Sequence, residues 1–120
     1  MNSMLHRIIK KFHCAFAGII DALVHDFGFR FQLYLGVTIL FIIGVFFTPL
    51  SALEAILIFT SYMLVLITEL QNSAIETALD HIHPNQAESI RKTKDMTAGA
   101  VLIAGILLLT TLLTIFFFGV

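Results

Sequence analysis

A chain of 120 residues that is 58% hydrophobic and only 12% charged, with a mean hydropathy of +0.96, holds one domain and has too few polar groups for an ordinary soluble fold. It reads as an all-α membrane protein. The formal net charge is −1, and a single cysteine, Cys14, excludes an intrachain disulfide and reads as packing or as part of a pocket wall.

From residue 4 to about residue 24, Leu5, Ile8, Ile9, Phe12, Phe16, Ile19, Ile20 and Leu23 recur at threes and fours, with Arg7, Lys10, Lys11 and Asp21 between them. That spacing predicts an amphipathic helix lying in the membrane surface. Ala15, Ala17, Gly18 and Ala22 leave room for close approach of another helix or a ligand, although a plain surface anchor fits the periodicity equally well. Charged and polar residues interrupt each apolar stretch here and no small-residue cleavage site follows, so the segment is expected to persist in the mature chain.

His25 to Gln32 reads as a break, where Gly28 weakens the helix and polar residues alternate with Phe27, Phe29 and Phe31. Asp26 reads there as a helix cap or a solvated charge. Residues 31–47 form the first expected crossing, long enough for a hydrocarbon core of about 30 Å. Thr48-Pro49-Leu50-Ser51 turns the chain, and a second crossing runs over 52–81, longer than a bilayer requires.

That second run ends in Glu69-Leu70-Gln71-Asn72-Ser73-Ala74-Ile75-Glu76. On a helix turning about 100° per residue, Glu76 and Asp80 each fall about 20° from Glu69, on opposite sides, and Asn72 about 60° away. An ionised carboxylate facing lipid costs several kcal/mol on roughly any scale, so this acidic stripe marks a functional site by default. At about 1.5 Å per residue from Ala52, Glu69 sits about 25 Å along, at the inner rim of the bilayer.

His81 to Ser89 is a polar connection in which His81 and His83 read as solvated loop residues rather than metal ligands, and Pro84 and Asn85 as breakers. The last crossing, 96–118, opens with small residues at Thr97, Ala98, Gly99 and Ala100 that permit tight helix packing. Arg7, Lys10, Lys11 and Arg30 precede the first crossing, and Arg91, Lys92 and Lys94 lie between the second and third. The positive-inside bias therefore puts the N-terminus and the second connection in the cytoplasm. Polar groups on the second crossing would stay uncovered in a lone subunit, which points to an oligomer.

Phosphoryl transfer needs divalent ions held by carboxylates and a base for the acceptor's hydroxyl proton. Glu76 with Asp26 can hold such a metal, and Glu69, deeper and partly desolvated, can act on a lipid hydroxyl. Asn72 can orient the base or a phosphate. Lys94 can offset phosphate charge, while Asp95 can cap the third crossing or bind the nucleotide. No Gly-rich phosphate loop is present. From the residues alone, interhelical polar glue in a non-catalytic subunit and an ion or proton pathway remain open beside catalysis.

The run Glu69-Leu-Gln-Asn72-Ser73-Ala74-Ile75-Glu76, followed by Asp80, Lys94-Asp95-Met96 and Ala100-Val101, closely resembles the signature of the small bacterial integral-membrane lipid kinases, the diacylglycerol kinase and undecaprenol kinase family. Upstream, Phe12-His13-Cys14-Ala15-Phe16-Ala17-Gly18-Ile19 and Asp26-Phe-Gly-Phe29-Arg30-Phe31-Gln32 resemble that family's N-terminal helix and its acidic-x-x-Phe-Arg element. The likeness spans nearly the whole chain. It implies a homotrimer of three-crossing subunits in the bacterial cytoplasmic membrane, with a surface helix and active sites shared between neighbours. It also implies a reaction in which ATP, with Mg2+, phosphorylates the hydroxyl of diacylglycerol or undecaprenol. By the same resemblance Glu69 is the catalytic base and Asp26 and Glu76 are the metal ligands. Arg7, Cys14, Glu88, Lys94 and Asp95 surround the nucleotide, and Asn72 stands beside the base. Two positions depart from the pattern: Asp26 stands where Glu is usual, and Cys14 where one branch has Tyr. The Phe-His-x-Ala-x-x-Gly and Phe-Arg-Phe-Gln details look closer to the undecaprenol kinase branch.

Overall fold

The computed structural model describes residues 2–47, 49–82 and 87–119, and they form four helices: α1 (Asn2–His25), α2 (Phe27–Phe46), α3 (Ala52–Ile82) and α4 (Glu88–Phe118). Thr48, in the expected turn, and His83, Pro84, Asn85 and Gln86, in the expected polar connection, lie outside the described residues. The last three helices are each long and apolar enough to cross a membrane.

The expected break at 25–32 shrinks to one residue. Asp26 alone is extended, with φ −107° and ψ 111°, and its carboxylate accepts the Phe29 amide at 2.9 Å, so α2 begins at once. The Arg30 guanidinium reaches back across the bend and donates to the Val24 carbonyl at 3.0 Å, satisfying one of the orphan acceptors at the end of α1. Gly28 lies inside α2 rather than interrupting it. The start of α3 is a reciprocal capping box. The Ser51 amide donates to Glu54 Oε1 at 2.9 Å, and the Glu54 amide to Ser51 Oγ at 3.1 Å. α4 begins eight residues ahead of the expected crossing, with Ala87 as its N-cap and no side-chain capping bond. Asp95 is therefore two turns inside the helix and does not cap it.

α3 is the central element, packed along α4 on one side and α2 on the other. Two close approaches fix it. On the α2 side, a Cβ at Gly36 would overlap the Tyr62 ring, and the Tyr62 hydroxyl donates to the Leu33 carbonyl at 2.9 Å and, more weakly, to Gln32 at 3.3 Å. On the α4 side, the buried Ser61 hydroxyl donates to its own Leu57 carbonyl at 2.7 Å and stands 3.1 Å from the Thr111 hydroxyl. Thr38, Thr68, Thr110 and Thr111 likewise bond carbonyls one turn back, so these hydroxyls need no water in hydrocarbon. Phe47 and Phe116 close the far end, ring centroids 4.8 Å apart.

The buried core is small: Phe29 and Ile43 from α2, Ile58, Tyr62 and Val65 from α3, Ala104 and Ile115 from α4, and Ala22 from α1. Large apolar residues face outward, Phe41 and Ile103 at 70% exposure among them, an arrangement suited to lipid and untenable in water. The principal extents are 47 × 47 × 22 Å. A 31-residue helix accounts for one long dimension at about 1.5 Å per residue, and the other requires α1 to lie across the three-helix stack.

Candidate functional site

At the end of the stack where α1 meets α3, three carboxylates gather. Asp26, from the α1–α2 junction, receives two donors on the same oxygen, the Phe29 amide at 2.9 Å and the Ser73 hydroxyl of α3 at 2.6 Å, both on Oδ2. Among the described residues its Oδ1 has no hydrogen-bond partner. Glu69, one turn before Ser73, lays its carboxyl against Gly28. A Cβ there would overlap Glu69 Oε1 and stand 3.8 Å from Asp26 Oδ2, so the two acids flank the same point on α2. Glu76, one turn beyond Ser73, is the third carboxylate, and with Asp26 it is one of two charges acting on Glu69. The sequence spacing that placed Glu69 and Glu76 on one face thus meets Asp26 through a notch that only glycine leaves.

None of these three carboxylates is in an ion pair among the described residues. Like charges so gathered favour a divalent cation, and oxygen donors are the ligands hard cations prefer. Among the described residues no group of three His, Cys, Asp or Glu side chains is placed to hold a metal ion by itself.

The remaining candidates fall into separate groups. Cys14 lies on the wall of a cleft of about 520 Å³ between α1 and α3, with Gly18, Asp21, Asp26, Ser73 and Thr77 among the other lining residues. Arg7 is two turns earlier on the same face of α1 and exposed. Asn72 lines a crevice between α3 and α4, with Thr68 and Thr97 also on its wall. Its Oδ1 is buried there without a partner among the described residues.

On α4, the side chains of the consecutive residues Lys94 and Asp95 go to different partners. Lys94, its side chain 18% exposed, binds the Asp80 carboxylate across the α3–α4 interface. Asp95 is exposed and held at 2.9 Å by Arg91, which also grips Glu88 one turn back. Sequence reasoning missed three relationships: the Ser73 hydroxyl on Asp26, the Asp80–Lys94 pair, and Arg91 as clasp for Glu88 and Asp95. Arg91 at i+3 from Glu88 and i−4 from Asp95 was legible as a helix pairing; the other two required the tertiary fold.

These features define a small integral-membrane protein with an acidic site at one end of its helix stack. Residues 13–116 match the family profile for prokaryotic diacylglycerol kinase. The diacylglycerol kinases of Escherichia coli K12 and of Shigella flexneri are each 35% identical to the chain over 106 residues, covering 88% of this chain and 84% of theirs. The diacylglycerol kinase of Haemophilus influenzae is 30% identical over 100 residues, 83% of each. The chain belongs to the prokaryotic diacylglycerol kinase family and is a kinase, transferring a phosphoryl group.

Proposed function

We propose that this kinase transfers the γ-phosphoryl group of ATP to the hydroxyl of a membrane lipid alcohol at the cytoplasmic rim of the bacterial inner membrane. The observation that supports the reading is the cluster of Glu69 and Asp26 beside Gly28 with Glu76 acting on Glu69, three carboxylates without an ion-pair partner among the described residues. The relatives' names make diacylglycerol the first acceptor to test, and undecaprenol is the second because of the Phe12–Gly18 and Phe29–Gln32 resemblance.

In this reading Glu69 takes the proton of the lipid hydroxyl. The freed oxygen attacks the γ-phosphorus, and the bond to the β-phosphate oxygen breaks with its electron pair passing to ADP. Asp26, through the Oδ1 that has no partner among the described residues, and Glu76 would hold Mg2+, which would supply charge neutralisation for the phosphates. Lys94, paired with Asp80 at the α3–α4 interface, would offset phosphate charge by exchanging that partner. Arg7 and Cys14, along one face of α1, with Glu88 and Asp95 on α4, border the nucleotide. Asn72 orients groups around the base.

The apolar stripe of α1, with Phe12 and Phe16 among its exposed residues, faces opposite Cys14 and Gly18. It supports a helix resting in the membrane surface with the cleft turned inward. Exposed apolar faces and the orphaned Asn72 oxygen support a homotrimer whose subunits complete one another's sites.

The test is ATP-dependent phosphorylation of diacylglycerol and of undecaprenol, side by side, by the purified protein in mixed micelles. Phosphorylation of either, lost in Glu69→Gln, is the expected result. ATP-independent ion flux through proteoliposomes with no phosphorylated lipid would replace this reading with a channel.

A further inference from the structure

The Ser73 hydroxyl is the one side chain of the acid-bearing stretch of α3 that bonds to the α1–α2 junction among the described residues. It stands four residues after Glu69 and three before Glu76, one turn from each, on the helix that carries both. Its 2.6 Å bond goes to Asp26 Oδ2, the oxygen already engaged by the Phe29 amide. A cap bond alone holds one oxygen to the start of α2 and lets the carboxylate plane swing about it. A second donor, arriving from another helix onto the same oxygen, fixes the plane and leaves Oδ1 as the available ligand atom. The Ser73 side chain also lines the α1–α3 cleft into which a metal-bound nucleotide would come.

We infer that Ser73 is a positioning residue for divalent-metal binding: by donating to Asp26 Oδ2 it holds the free Oδ1 of Asp26 toward the metal shared with Glu76. The inference rests on the proposed kinase mechanism and deepens it. Groups that orient a metal ligand are worth about 10- to 100-fold in metal affinity. Removing the hydroxyl is therefore expected to weaken metal binding by at least about tenfold, with turnover recovering when the metal is raised to saturation. A serine that only joined two helices would change stability and leave the metal titration where it was.

The experiment compares wild type, Ser73→Ala and Ser73→Thr in detergent. Mn2+ is titrated in the presence of a non-hydrolysable ATP analogue and free Mn2+ is read by electron paramagnetic resonance; thermal unfolding is recorded beside it. The expected result is a binding curve displaced about tenfold in Ser73→Ala and restored in Ser73→Thr, which keeps the hydroxyl. An unchanged curve in Ser73→Ala, or equal weakening in both variants, overturns the inference. Wild type that phosphorylates neither lipid overturns the proposed function instead, so the two failures are told apart.

Discussion

Glu69 Oε1 occupies the space that a β-carbon of residue 28 would fill, so Gly28 of α2 and Glu69 of α3 are shaped to one another. The absence of a side chain at one position sets where the carboxyl of the other stands.

Enlarging residue 28 therefore displaces the Glu69 carboxyl, the proposed base. Gly28→Leu is expected to lower turnover by about 100-fold, the loss that a displacement of roughly an ångström at a reacting centre produces. Gly44, in the same helix, has nothing within 4 Å of its missing Cβ, and Gly44→Ala is expected to leave turnover unchanged. Equal initial rates for Gly28→Leu and wild type would show that the contact does not set the base.

Glu69→Gln keeps the shape of the side chain and removes its basicity. Turnover is expected to fall by about 10²- to 10⁴-fold, the range over which a positioned general base acts, while helicity and assembly in detergent stay as in wild type. Activity near wild type in a well-folded Glu69→Gln protein removes the central assignment.

Glu76→Ala takes away one of two proposed metal carboxylates. The Mg2+ concentration at half-maximal rate is expected to rise about tenfold or more, with a smaller change in the ATP requirement at saturating metal. A superimposable magnesium titration counts against Glu76 as a ligand.

Tyr62→Phe deletes the hydroxyl that bonds the Leu33 carbonyl and keeps the ring on Gly36. Interhelical hydrogen bonds within membranes contribute about 0.6 kcal/mol on average and up to about 1.7, so unfolding by denaturing detergent should shift by that much. Gly36→Val, which drives a side chain into the ring, is expected to be worse than Tyr62→Phe. The reverse order would mean that the ring does not seat on Gly36.

Much of this protein was legible before any coordinates. Periodicity found a helix where α1 runs, hydropathy found three long apolar helices, and the 100° rule put Glu69 and Glu76 on one face. What pattern could not supply were meetings between elements distant in sequence. Gly28 read as a helix breaker because glycine lowers helix propensity, whereas its place in α2 follows from the carboxyl opposite. Asp95 read as a cap of the third crossing because the apolar run starts beside it, whereas α4 begins seven residues earlier and Asp95 is held by Arg91. Asp26 read as a cap or a solvated charge. It is a cap, and it is also bound by Ser73, 47 residues on, which no local rule reaches.

Because α2 and α3 run antiparallel, the seat of Tyr62 on Gly36 and that of Glu69 on Gly28 are two rungs of a single ladder, about 10 Å apart along the helices. Sliding one helix past the other by a turn would empty both seats together. The position of the proposed proton acceptor along α3 is thus gauged from a point two turns away, by a phenol resting on a bare backbone, and lesions there are expected to register as faults in chemistry as well as in folding.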